Sequence, residues 1–152
     1  MHRRTFLKAS LAVHAASLVA SIGFFMPRQT FAAWPALAFE KKQIADAIAA
    51  LTPGATPRKS RKIKINVPKL IENGDFVPVS VLTNIPNTEK ISLLVEKNAQ
   101  ALVASFDLGP AVDGYISTRI RLNKTTKIIA LVQASGKSFI AKKTVKVKAG
   151  RC

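Results

Sequence analysis

From Ile63 onward, apolar residues recur with a period of two in short runs. Successive side chains of an extended strand point to opposite faces, so each such run offers one apolar and one polar face. Ile63, Ile65 and Val67 alternate with Lys64 and Asn66, and Phe76–Leu82 resumes the pattern. Further β-rich runs cover Ile91–Glu96, Leu102–Leu108, Tyr115–Leu122, Lys127–Gln133 and Ser138–Lys148. Turn signals separate them at Asn73-Gly74, Asn84-Ile85-Pro86-Asn87, Asn98, Gly109-Pro110, Asp113-Gly114, Asn123-Lys124 and Ser135-Gly136-Lys137. Proline has no N–H to give a ladder, so Pro78 predicts that its strand lies at a sheet edge or carries a bulge. Seven short strands with hardly any helix predict an all-β domain, an immunoglobulin-like β-sandwich of about seven strands. The one tryptophan, Trp34, precedes the strand region, so this expectation rests on strand count and spacing.

Ahead of the strands, Phe39, Ile44, Ala47, Ile48 and Leu51 recur at helical spacing with charges between them. Thr52-Pro53-Gly54 and Pro57 end that pattern. The expectation is one short N-terminal amphipathic helix within a segment 33–57, followed by the sandwich over 58–148. At their junction Arg58-Lys59-Ser60-Arg61-Lys62-Ile63-Lys64 packs five basic residues into seven. Such a run is either a solvated strand entrance or an electrostatic docking patch. It has no interleaved aromatic residues and so lacks the stacking platforms of a single-strand nucleic-acid binder.

The first residues carry an address. Met1-His2-Arg3-Arg4-Thr5-Phe6-Leu7-Lys8 precedes an apolar stretch from Ala9 to Met26. Paired arginines before a moderately hydrophobic, alanine-rich region form the pattern of a twin-arginine export signal. The stretch is short for a membrane span and contains His14 and several serines, so stable membrane insertion is not expected. Cleavage after Ala32 or Ala33 fits the small residues there, which makes 1–32 the signal and the periplasm the destination. The remaining chain then holds 20 basic and 8 acidic residues, a formal charge of +12. That charge attracts anions, but a periplasmic address argues against nucleic acid as the partner.

The inventory of reactive groups is short. The two histidines, His2 and His14, both lie in the signal, so no His-Cys or His-carboxylate cluster remains for a metal. No Ser-His or Cys-His pair is available for nucleophilic catalysis, and the glycines are scattered at turns without forming a phosphate loop. No catalytic residue, metal site or cofactor is expected, and the chain is not read as an enzyme. What remains is Cys152, the only cysteine, after Val145-Lys146-Val147-Lys148-Ala149-Gly150-Arg151. An unpaired cysteine is unusual in an oxidising compartment and implies an intermolecular bond or a thiol kept for chemistry. Arg151, Lys148 and Lys146 favour its thiolate, and an adjacent carboxylate opposes it. Ala149, Gly150 and Arg151 form a thin arm, and from Lys148 the chain reaches about 14 Å when fully extended.

The segments Ile71-Glu72-Asn73-Gly74, Val77-Pro78-Val79, Glu96-Lys97-Asn98, Ala104-Ser105-Phe106 and Ser117-Thr118-Arg119-Ile120-Arg121-Leu122 resemble those of the SoxY family. So do the Val145-Lys146-Val147 strand before Cys152 and the Trp34-Pro35 start of the exported chain. The resemblance implies a sulfur-carrier subunit of the periplasmic thiosulfate-oxidising system, built as a sandwich that pairs with a second one, SoxZ. It implies Cys152 as the covalent attachment point for sulfur. Transient partners are implied as well: a c-type cytochrome loading complex, a manganese-dependent thiohydrolase that releases sulfate, and a sulfane dehydrogenase. The family's tail has glycines on both sides of its cysteine, whereas here Arg151 precedes Cys152. The resemblance thus assigns covalent attachment to Cys152 and the carrier arm to Ala149, Gly150 and Arg151. Two other readings stay open. One is an assembly or binding module whose cysteine only forms intermolecular disulfides; the other is a basic protein that binds an anionic surface.

Overall fold

A computed structural model describes residues 34–72 and 74–148. The expected export signal, 1–32, and the arm, 149–152, lie outside the described residues. Two short helices, α1 (Ala36–Phe39) and α2 (Ile44–Leu51), come first. They precede β1 (Arg58–Lys59), β2 (Ile63–Asn66), β3 (Leu70–Ile71), β4 (Val77–Thr83) and β5 (Thr88–Val95). After these come β6 (Leu102–Asp107), β7 (Tyr115–Ile120), β8 (Thr126–Ala134) and β9 (Lys137–Val147). The seven expected runs are β2 and β4 to β9. The other two strands have two residues each, too few to show a period.

The strands form two sheets. The larger has the order β1-β9-β8-β5-β6 with β3 also paired to β9, and the smaller has the order β2-β4-β7. Their inner faces meet in one core: Ile65, Val79 and Ile116 from the small sheet pack against Leu93, Ala130 and Val145 from the large one. This is the expected sandwich. Strands β5 and β8 are buried on both faces, which explains their unbroken apolar runs. Leu94, Ile129 and Leu131 point away from the sandwich core and, with Ile140, form a second cluster beneath Ala38, Ala47 and Leu51 of the helices. Full burial of each such aliphatic side chain contributes about 1.5–3 kcal/mol. Gln133 fastens the helical layer to the sheet, its Nε2 donating to the Leu51 carbonyl at 2.6 Å.

Two expectations need correction. The single helix over Phe39–Leu51 is two helices. Between them the Lys41 carbonyl accepts the Ala101 N–H at 2.9 Å, and Gln43 is extended at φ −97°, ψ 140°. Glu40, Lys41, Lys42 and Gln43 bring no apolar side chain to the second cluster, so nothing there rewards a continuous helix. Strand β4, which holds Pro78, is the central strand of the small sheet rather than an edge. Its β2 partner ends with Asn66 opposite Ser80, so Pro78 lies past the end of β2 and breaks no ladder on that side. Between β3 and β4 the chain passes from the large sheet to the small one. The Ser135-Gly136 signal does make a tight hairpin, with Ala134 opposite Lys137 and φ of 49° and 69° at the two turn residues.

Candidate functional site

Pairing between β8 and β9 runs down to Thr126 opposite Val145, and β9 continues beyond it. Thr125 supplies with its side chain what β8 no longer supplies with its backbone. Its hydroxyl accepts the Val147 N–H at 3.0 Å and donates to the Val147 carbonyl at 3.3 Å. On the opposite edge β3 lies parallel to β9, Leu70 opposite Lys146 and Ile71 opposite Val147. The Lys146 N–H donates to the Lys69 carbonyl at 3.0 Å, and the Lys148 N–H to the Ile71 carbonyl at 2.8 Å. The chain is therefore held from both edges through Val147, and from the β3 side to Lys148, one residue before the expected arm.

The short β3 is anchored in turn through Gly74, three residues beyond its end. The Leu122 N–H donates to the Gly74 carbonyl at 2.7 Å. A Cβ at Gly74 would run into the Leu122 carbonyl and stand 3.6 Å from Val147 Cγ1. Only glycine allows this approach. Beside it, Arg121 donates through Nε and Nη2 to Asp75 Oδ1 at 2.9 and 2.7 Å. The Arg121 carbonyl accepts Asn98 Nδ2 at 2.8 Å, which ties the β5–β6 turn to the same end of the sandwich.

The charge at this end is mostly positive. Lys69, Lys124, Lys146 and Lys148 are exposed there, and Arg121 neutralises Asp75, leaving Glu72 as the opposing charge on β3's flank. An anionic load or an anionic rim on a partner is attracted to such a surface. Among the described residues no group of three or more His, Cys, Asp or Glu side chains comes together to hold a metal. No helix among them is long and apolar enough to cross a membrane.

The residues singled out from the sequence, Cys152 with Ala149, Gly150 and Arg151, lie outside the described residues. The structure defines the strand that leads into them. Sequence reading missed Thr125, Gly74 in its packing role, and β3. A two-residue strand has no periodicity, and a threonine after a turn gives no sign that it brackets a strand twenty-two residues later. For β3 the available clue was the apolar pair Leu70-Ile71 between Pro68 and the Asn73-Gly74 turn.

The family model described as sulfur oxidation protein SoxY matches residues 48–152, a range that includes the cysteine. Among solved structures, the sulfur carrier protein SoxY from Chlorobium limicola f thiosulfatophilum is 40% identical, with a TM-score of 0.66. The similarity covers 70% of this chain and 97% of that one. No curated protein matches the chain. The match over more than two thirds of the sequence, from the end of α2 through the strands to the cysteine, places this chain in the SoxY family of sulfur oxidation proteins.

Proposed function

We propose that this protein is a periplasmic sulfur carrier, exported by the twin-arginine route, that holds thiosulfate-derived intermediates covalently on Cys152. The observation that carries this reading is the span of the family match, which runs through the arm to residue 152. The geometry at the arm's root supports it. A carrier needs a rigid base and a thin, extendable tip, and here β9 is held on both edges through Val147 and Lys148 is still bonded to β3, ahead of Ala149-Gly150-Arg151-Cys152.

The chemistry asked of the thiol is simple. Cys152 and thiosulfate join through a new S–S bond with release of one proton and two electrons, and the c-type cytochrome loading complex accepts the electrons. Water then attacks the sulfonate sulfur in the manganese-dependent thiohydrolase, releasing sulfate and a proton and leaving a persulfide on Cys152. A sulfane dehydrogenase oxidises the sulfur that remains. The carrier itself contributes the sulfur atom, its reach and the electrostatic setting. A SoxZ-like sandwich is the proposed stable partner, giving a heterodimer. The outer face of the small sheet suits such pairing, since Leu82 and Tyr115 stand opposite each other there at 42% and 51% exposure.

Intact mass of the native periplasmic protein without reductant, followed by mapping of the peptide with Cys152, tests the proposal. A thiosulfonate or persulfide on Cys152 is expected during growth on thiosulfate. A free thiol or a plain disulfide dimer under those conditions would point instead to an assembly module.

A further inference from the structure

Between β1 and β3, the large sheet has a stretch of β9 edge that is both unpaired and cationic. On β9 the groups facing away from β8 belong to alternate residues: the Ile140 carbonyl accepts the Ser60 N–H, and the Lys146 and Lys148 N–H groups donate to Lys69 and Ile71. By the same alternation Lys142 and Thr144 turn their backbone groups to that side. There β1 covers only Phe139 and Ile140, and β3 covers only Lys146 and Val147. Between them no strand among the described residues pairs with β9 on that edge. Lys143 points inward and donates from Nζ to the Ile65 carbonyl at 3.1 Å, which closes the sandwich beneath the gap. Next to it lies a recess of about 530 Å³ lined by Lys59, Ser60, Arg61, Ile140, Ala141 and Lys142.

Charge is unevenly placed around this gap. From Ala47 to Ile71 the sequence has six cations and no acid, and after Asp113 it has no acid at all. The ion pairs among the described residues, Lys90–Asp107, Arg121–Asp75 and Lys127–Glu96, do not involve Arg58, Lys59, Arg61 or Lys142. Arg58, Lys59, Arg61 and Lys142 thus leave positive charge along β1 and the open stretch of β9 that none of these ion pairs neutralises.

We infer that this stretch is a docking edge for an acidic, extended polypeptide segment of a partner protein. Unpaired N–H and C=O groups select a polypeptide, which alone completes a ladder by adding a strand. The flanking lysines and arginines select its sign. Lysines on an edge strand ordinarily repel further strands, and here they would reject a second copy of this basic chain while admitting an acidic segment. The surface does not depend on Cys152, so the inference stands apart from the carrier chemistry.

The test uses the exported protein and a fluorescein-labelled peptide of alternating glutamate and valine, about five residues long to fill the gap between β1 and β3. Binding is read by anisotropy and by hydrogen exchange at the Lys142 and Thr144 amides. The charge reversal K59E/R61E/K142E should weaken binding about tenfold or more, and the neutral K59Q/R61Q/K142Q should fall between it and the natural protein. The charge-matched reversal K42E/K97E/R119E, placed elsewhere on the surface, should change it by less than about twofold. Exchange at Lys142 and Thr144 should slow when peptide binds. Equal weakening by both reversals would overturn the inference, as would unchanged exchange at those amides. So would tighter binding of phosphatidylglycerol vesicles or of a DNA oligonucleotide through the same three residues.

Discussion

The Thr125 hydroxyl accepts the Val147 N–H at 3.0 Å and donates back to the Val147 carbonyl at 3.3 Å. One side chain therefore replaces a whole residue pair of the ladder, where β8 has ended and β9 has not. Thr125→Val keeps the shape and removes both bonds. Each exposed hydrogen bond of this kind contributes about 0.5–1.5 kcal/mol. The Val147 amide should therefore exchange about fivefold to tenfold faster, with little change in the global unfolding midpoint, since Thr125 is exposed. Thr125→Ser should restore protection. An unaltered Val147 amide in the valine variant would show that the Thr125 hydroxyl does not protect this end of the strand.

Gly74→Ala should be among the most damaging small substitutions in the domain. Its Cβ would meet the Leu122 carbonyl, a backbone atom that cannot rotate away. The backbone must shift, and the Leu122–Gly74 bond is lost with it; about 2–4 kcal/mol of stability should disappear. Gly136→Ala provides the comparison. Its Cβ has open space, but φ is +69°, so the left-handed backbone alone is penalised, by about 1 kcal/mol. Urea unfolding of the two variants should rank them in that order.

Much of the sandwich was legible because its strands obey the period of two. β4 alternates buried and exposed residues along its length, and a polar outer face made the inner one visible. The same rule left β5 and β8 without a face assignment, because the helices cover their second side and erase the alternation. Proline chemistry pointed Pro78 to an edge. The position it found lies in a central strand beyond the end of β2, so a partner is missing on that side alone, while Arg119 of β7 stands opposite on the other. The arm's root was illegible for a different reason. Its contacts join Val147 to Thr125, and Lys146 and Lys148 to residues 69–71, and pairings between short, distant segments leave no local pattern.

The double burial of β5 is itself open to test. Leu93 faces the sandwich core and Leu94 faces the helices, and both are fully buried. Leu93→Ala and Leu94→Ala should each cost about 2–5 kcal/mol, the range for buried leucines. In a plain two-sheet sandwich only the inward residue would be so costly. An exposed-residue response at Leu94, below about 0.5 kcal/mol, would mean that α1 and α2 are not docked on the sheet in solution.

Arg151 is the residue through which this arm departs from the glycine-flanked pattern of its family, and its effect should be electrostatic. The thiosulfate adduct proposed for Cys152 would present a sulfonate next in sequence to the Arg151 guanidinium, which would attract it. Exposed ion pairs are worth about 0.2–1 kcal/mol, so the contribution to loading is at most about fivefold. Arg151→Gly should lower the fraction of Cys152 loaded at limiting thiosulfate by about twofold to fivefold at low ionic strength. The difference should vanish near 1 M salt, where the screening length falls to about 3 Å. Stability should not change, because Ile71 and Thr125 hold β9 only up to Lys148. Mass spectrometry of the Cys152 peptide after timed loading measures the effect directly. If the glycine variant loads as well as the natural protein or better, Arg151 does not support the adduct, and the lysines at the arm's root, Lys146 and Lys148, become the groups to replace next.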